Sequence, residues 1–195
     1  MIIWDLCSGL GGWTQAFEKH VYRFDNSDLI CARVPGTFPH DVQDWKKWIY
    51  KYPKPDVIVA SPPCLEFSNG YNAPRPKAKR EGIEFNPDLS ILKACKEIID
   101  FINPKWWIIE NVAGASKDFT QELGMPPRQI IGPMLLWGYF PYLPITHARM
   151  GGKNGKTQDW NIGDPLRANK RAMIPLEVSQ ALHDVCFTQT LLEDF

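Results

Sequence analysis

Net charge is the first thing this chain lacks. Its 22 Lys and Arg residues balance 22 Asp and Glu residues over 195 positions, so no global positive field draws it to nucleic acid or any other polyanion. Metal-ligand spacing is missing among its five cysteines, which removes the common zinc frameworks. Their odd number, with no signal-peptide pattern, makes a reducing cytoplasm the expected compartment. The longest apolar runs are far too short to cross a bilayer, and no internal repeat is visible. What is there is a chain 44% hydrophobic, enough for one domain over residues 1–195 with a single sizeable core.

Strand-like and helix-like patterns alternate along it, which indicates an α/β sheet with helices on both faces. The apolar run from Met1 to Leu6 is followed by Cys7-Ser8-Gly9-Leu10-Gly11-Gly12 and by a helical-looking stretch from Trp13 to Lys19. Strand, glycine turn and helix suit a ligand, because glycine lets the backbone approach it and a helix N-terminus offers free N–H groups. The spacing still falls short of the full dinucleotide fingerprint. A second run, Val21 to Phe24, ends in Asp25, about where a βαβ unit puts the acid that binds a ribose diol.

Asp56 to Ala60 reads as a short buried strand, and Pro62-Pro63 must turn the chain out of the sheet after it. Cys64 is thereby presented at the edge where open α/β sheets bind ligands. A lone cysteine there reads as inert packing more often than as a nucleophile. A third apolar run ends in Glu110 and Asn111, and Glu110 by itself reads more often as a helix cap or a solvated edge residue than as a functional carboxylate. Asp88 to Ile102 forms an amphipathic helical pattern with Ile91, Cys95, Ile98 and Ile102 on one stripe. Pro175 opens a last helix from Leu176 to Val185.

Three of these pieces resemble the DNA cytosine methyltransferases that modify carbon 5 of the base. Asp5-Leu6-Cys7-Ser8-Gly9-Leu10-Gly11-Gly12, Pro62-Pro63-Cys64-Leu65-Glu66-Phe67-Ser68 and Glu110-Asn111-Val112 occur in that family's order and on its kinds of element. The resemblance is to a minimal phage- or prokaryote-like member. It implies a Rossmann-like, S-adenosylmethionine-dependent methyltransferase fold with a mostly parallel sheet and S-adenosylmethionine as cofactor. The implied partner is DNA, duplex or locally unpaired, in a restriction-modification setting. A monomer without metal or membrane, in a bacterial or phage-infected cytoplasm, completes the expectation.

The resemblance also assigns roles. Cys64 is the thiolate that adds to carbon 6 of cytosine, Glu110 meets ring N3 and the exocyclic amine, and Asn111 orients the loop beneath it. Asp5, Leu6, Cys7, Gly9, Leu10, Gly11 and Gly12 form the cofactor turn, Pro62 faces it, and Asp25 takes the ribose hydroxyls. Asp41 corresponds to the acid that contacts adenine, although it reads equally as the cap of a helix from Val42 to Trp48. The family's aromatic after Asp5-Leu6 is Cys7 here, so adenine stacking passes to Trp13 or another ring. The family's Gln-x-Arg-x-Arg strand is reduced to the region of Arg149, with Arg128 and Arg167 as competitors, and its Gly-Asn before the closing helix is absent.

The largest departure is length. Only residues 151–172 separate the arginine segment from the closing helix, so target recognition is reduced to loops. Ser68, then Tyr71, Arg75, Lys77, Lys79 and Arg80 in the loop of residues 69–82, with Lys153 and Lys156, are the expected nucleic-acid contacts. The base must be extruded or already unpaired, and a site of about two to four base pairs is expected. Methylation of RNA or of a free nucleotide, and a non-catalytic cofactor- and nucleic-acid-binding module, are the alternatives.

Overall fold

The computed structural model describes residues 1–148 and 163–193, with side chains through residue 188. Seven strands, β1 (Ile3–Leu6), β2 (Val21–Asp25), β3 (Thr37–Pro39), β4 (Val57–Ala60), β5 (Trp106–Val112), β6 (Gln129–Ile131) and β7 (Met134–Tyr139), form one sheet in the order β3-β2-β1-β4-β5-β7-β6. The first five in that order are mutually parallel, and β7 runs antiparallel to β5 and β6. Every residue of β1 and β4 is buried. Strands covered on both faces have no solvent side, which is why they read as continuous apolar runs rather than as an alternation.

Alternate side chains divide the core into two layers. Trp4, Leu6, Ile58, Ala60, Ile109 and Trp137 point to one face, where α3 (Ser90–Ile102), α4 (Ser116–Leu123) and the 3-10 segment Val42–Lys47 cover them. Ile3, Val57, Val59, Ile108 and Leu136 point to the other, under Trp13 and α6 (Leu176–Glu193). The period of two along each strand puts successive residues on opposite faces. Shorter helices α1 (Asp28–Arg33), α2 (Pro74–Glu81) and α5 (Arg167–Ala172) complete the described elements.

Some local expectations are corrected. The helix expected from Trp13 to Lys19 is a single 3-10 turn, Gly12–Thr14. Helix continuation stops at Ala16, whose N–H donates to Ser179 Oγ at 3.0 Å rather than to the Gly12 carbonyl, which accepts from Gln15 Nε2 at 2.9 Å instead. Most of the loop expected over residues 69–82 is α2, because Pro74 and Pro76 occupy a first turn that needs no N–H donors, and Lys, Ala and Arg continue the helix until Gly82 ends it in a left-handed conformation. The closing helix begins where expected, after Pro175, but runs to Glu193. The β6–β7 hairpin, turned by Gly132-Pro133, was not anticipated.

Trp4 centres the α3-face core: it is fully buried, with ring contacts to Phe24, Trp48 and Tyr52 at 5.2, 6.1 and 6.3 Å. Trp4→Ala is therefore expected to cost about 3–5 kcal/mol of stability by urea denaturation. A loss under about 1 kcal/mol would contradict this account of the core.

Candidate active site

The strand order reverses between β1 and β4. The chain moves outward from β1 through β2 to β3 and then returns to the opposite side of β1. Ligands of open α/β sheets bind in the crevice at such a point, beyond the carboxyl ends of the strands. The glycine turn leaves β1 there, the Pro-Pro-Cys turn leaves β4 beside it, and Glu110 and Asn111 lie on the next strand, β5.

The glycine turn is shaped from below. Gly11 has φ +72°, and a Cβ on Gly12 would stand 2.6 Å from the backbone nitrogen of Ile174. Glycine is required at both, by conformation at the first and by the close approach of the chain ahead of α6 at the second. Leu10 is half-buried at the crest of this turn. Asp5 has no exposed surface, and its Oδ2 accepts from Thr14 Oγ1 at 3.3 Å. Burial pushes its carboxyl up to about 8 against the opposing pull of Arg23 and Thr14. Asp5 thus braces the turn from within and offers a ligand no side-chain surface; Leu6 is likewise fully buried. Any contact of Asp5 and Leu6 with a cofactor is therefore left to their backbone.

Asp25 closes the turn from the β2 side. Its Oδ2 accepts from the Gly9 N–H and its Oδ1 from the Ser27 N–H, both at 2.9 Å. Cys7 has φ +55°, and its sulfur lies 4.0 Å from that of Cys95 on α3. Contact with Cys95, then burial, raises the Cys7 thiol well above the ordinary range. The Ser8 hydroxyl is buried and has no hydrogen-bond partner among the described residues. A half-buried carboxylate and an unsatisfied hydroxyl beside a glycine turn are acceptors that a ribose diol and an ammonium group need, so these residues fit S-adenosylmethionine.

Two further candidates around the cofactor turn take defined places. Asp41 caps Val42–Lys47, its Oδ1 accepting from Gln43 N–H at 2.8 Å and its Oδ2 from Asn26 Nδ2 at 3.0 Å. Trp13 is 1% exposed and packs in the α6-face core, so it has no free face on which adenine could stack.

The nucleophile turn is tied on several sides. Ser61 N–H donates to the Leu6 carbonyl at 3.2 Å. The Asn111 amide donates to the carbonyl of buried Pro62 at 2.9 Å, while Asn111 Oδ1 accepts from Val112 N–H. Glu66 Oε2 accepts from Asp88 N–H at 2.7 Å, which ties the turn to the start of α3. Cys64 itself is half-buried. Burial, and then the negative charge of Glu110, push its thiol up, while Arg171 pulls it back. Glu110 is 7% exposed, and burial raises its carboxyl to about 7 against a hydrogen bond from Ser61. Thiol and carboxyl are thus close enough to sense one another's charge.

Sequence reasoning missed α5. Its Asn169 amide lies 3.8 Å from where a Gly9 side chain would begin, and Arg171 acts on Cys64. An asparagine six residues before Pro175 was the available signal. Arg128 sits at the other edge of the sheet, over the Phe140 ring at 5.6 Å, and Arg167 is half-buried. Arg149, Lys153 and Lys156 lie outside the described residues.

Among the expected nucleic-acid contacts, Arg75 is occupied: it pairs with Asp118 at 2.6 Å and donates to the Gly114 carbonyl at 2.9 Å. Ser68 Oγ accepts from Gly70 N–H at 3.1 Å. Tyr71, Lys77, Lys79 and Arg80 are exposed, with Arg80 over the Tyr71 ring at 3.9 Å and Lys77 4.0 Å from Glu81. A cavity of about 210 Å³ lies between the Pro62–Phe67 turn and the start of α3, and one of about 200 Å³ between residues 68–70 and 112–114. Cys64 and Glu110 line neither.

The profile of the C-5 cytosine-specific DNA methylase family matches residues 1–154. The Type II methyltransferase M.HindV of Haemophilus influenzae is 31% identical over 191 residues, covering 92% of this chain and 58% of that protein. The chain therefore spans little more than half the length of this relative. Among solved structures, the S. pombe Dnmt2 methyltransferase is 17% identical, with 64% of this chain and 40% of that chain covered and a TM-score of 0.43.

Asp5 and Glu110, at about 8 and about 7, hold protons in the folded protein that the unfolded chain releases near pH 4. Their contribution to stability is full below about pH 4 and is lost as pH rises through about 8. His40, lowered mainly by burial, works in the opposite direction. Asp5→Asn should therefore flatten the fall in urea midpoint between pH 5 and 8.5 relative to the native protein. Parallel profiles would contradict the buried, protonated Asp5.

Proposed function

The chain belongs to the C-5 cytosine-specific DNA methylase family, and from that premise we propose that it methylates carbon 5 of cytosine in DNA through a covalent adduct at Cys64. The observation that carries this reading is the convergence of Cys64, Glu110 and the glycine turn at the strand ends on either side of the switch point. S-adenosylmethionine, held by the glycine turn with Asp25 on its ribose and Pro62 facing it, supplies the electrophilic methyl group.

The chain's own residues do the rest. The Cys64 thiolate gives an electron pair to carbon 6, forming the sulfur–carbon bond, and the displaced π pair makes carbon 5 a nucleophile for the methyl group. Loss of the carbon 5 proton to solvent then expels the thiolate and restores the ring. Glu110 holds a proton at N3, which draws electron density away from carbon 6 as sulfur arrives. Asn111 keeps the Pro62 carbonyl, and with it the nucleophile turn, in place. Arg171 favours the thiolate on Cys64, and Arg149 is the arginine assigned to the base carbonyl. Lys77, Lys79 and Arg80, with Lys153 and Lys156, supply phosphate contacts, and Tyr71 is the exposed ring able to fill a vacated stack.

The two ionisations run against one another. Chemistry needs Cys64 ionised and Glu110 protonated, yet the carboxyl loses its proton at about 7 and the thiol only above its ordinary range. The productive form is then a minority species at every pH. Its population rises with pH up to about 7, stays flat, and falls once the thiol titrates. We expect kcat/KM to follow this profile, with an acid limb near 7. A rate that falls as pH rises through 7 would contradict the assignment of the acid limb to Glu110.

Substrate class is tested by comparing methyl transfer to duplex DNA, single-stranded DNA, transfer RNA and deoxycytidine monophosphate. DNA should be preferred, and Cys64→Ala should abolish transfer while binding S-adenosylmethionine nearly as well as the native protein by calorimetry. Transfer confined to RNA or the mononucleotide, or more than a few per cent activity in Cys64→Ala, would overturn the proposal.

A further inference from the structure

We propose that Trp13 and Ser61 form a one-way hydrogen-bond relay that orients the Glu110 carboxyl, a role that rests on the function assigned above. The indole Nε1 of Trp13 donates to Ser61 Oγ at 3.0 Å, and the strand register sets the Ser61 hydroxyl beside the Glu110 carboxyl, where it favours the ionised form. An indole N–H can only donate, and a hydroxyl has one proton to give. With the indole proton on one lone pair of the Ser61 oxygen and Glu110 ionised, that single proton goes to Glu110, which fixes the direction of the relay in the ionised form.

The sheet accounts for the placement. Ala60 pairs with Ile109, so Ser61 and Glu110 are neighbours one residue further along β4 and β5. Both follow the alternation of Val59 and Ile108 toward the α6 face, where the Trp13 indole packs. Trp13 is locked in its turn: Ser179 Oγ, fully buried on α6, donates to the Trp13 carbonyl at 2.7 Å and accepts from Ala16 N–H at 3.0 Å. Gln15 Nε2 adds a bond to the Ile174 carbonyl at 2.9 Å. The closing helix therefore reaches the carboxyl through a chain of buried or half-buried groups.

Trp13 and Ser61 are positioning residues. The hydroxyl holds the carboxyl in one plane and stabilises its ionised form, which opposes burial and keeps the group titrating near neutrality. Of the groups around Glu110, the Cys64 thiol titrates, β7 presents the apolar Leu136 opposite it, and Arg171 on α5 acts on Cys64. The indole serves to keep the hydroxyl proton from turning away.

The test reads Glu110 directly. In ligand-free protein labelled with carboxyl-13C glutamate, its resonance is identified by its loss in Glu110→Gln and its midpoint followed by NMR. Ser61→Ala should raise the midpoint by about half to one pH unit, Trp13→Phe should raise it by less, and Ser61→Thr should restore the native value. The acid limb of kcat/KM should move up with it while affinity for S-adenosylmethionine is unchanged. Should Trp13→Phe fail to fold, Ser61→Ala carries the test alone. An unchanged midpoint in Ser61→Ala overturns the relay whatever the substrate. A raised midpoint in a protein that methylates no cytosine upholds the hydrogen-bond relay and overturns the function.

Discussion

The parallel pairing of β1, β4 and β5 sets Leu6, Ala60 and Ile109 abreast, and the candidate site hangs from that register. The glycine turn begins one residue beyond Leu6 and the nucleophile turn one residue beyond Ala60, while Glu110 stands one residue beyond Ile109. A slip of one residue in β5 would turn Glu110 to the α3 face and send Asn111 to the other, because side chains alternate with a period of two. The register is held by burial on both sides, since Ile58 and Val59, like Ile108 and Ile109, belong to opposite core layers. Hydrophobic packing at the centre of the sheet thus positions the polar groups at its edge.

Those polar groups are held at some cost. Asp5 and Glu110 are buried carboxyls raised to about 8 and about 7, and Cys64 is a thiol that burial and a neighbouring acid keep protonated. Sites that work by proton transfer are where burial moves such groups toward neutrality, and the same burial destabilises the fold whenever they ionise. The arrangement offsets part of this with hydrogen bonds, from Thr14 to Asp5 and from Ser61 to Glu110, and with the charge of Arg171 near the thiol.

Legibility followed physical range. β1, β4 and β5 were readable because fully buried parallel strands are continuous apolar runs, and α3 because its stripe repeats at helical spacing. Cys64, Glu110 and the glycine turn could be named as candidates because each motif is local. Helix α2 was misread because Pro74 and Pro76 break helices everywhere except in a first turn. The 3-10 turn at Gly12–Thr14 replaced a helix because the Ala16 N–H turns to Ser179 and the Gln15 side chain takes the Gly12 carbonyl. Asp5, visible as a strand-end acid, turned out to face inward, since strand alternation sets its side chain under the turn. Arg171 and Asn169 on α5, and the contact between Trp13, Ser61 and Glu110, depend on tertiary packing between segments as much as about 160 residues apart, and no local pattern encodes them.

The central claim is that Cys64 becomes covalently bound to carbon 6 of a cytosine. A DNA oligonucleotide carrying 5-fluorocytosine tests this most directly, because fluorine cannot leave as the carbon 5 proton does and the adduct is trapped after methyl transfer. Incubated with the protein and S-adenosylmethionine, such DNA should yield a denaturation-resistant species whose mass is the sum of protein, oligonucleotide and one methyl group less the thiol hydrogen, mapping to Cys64 and absent in Cys64→Ala. Methyl transfer to ordinary DNA without any adduct on the fluorinated strand, or an adduct at another residue, would contradict the account.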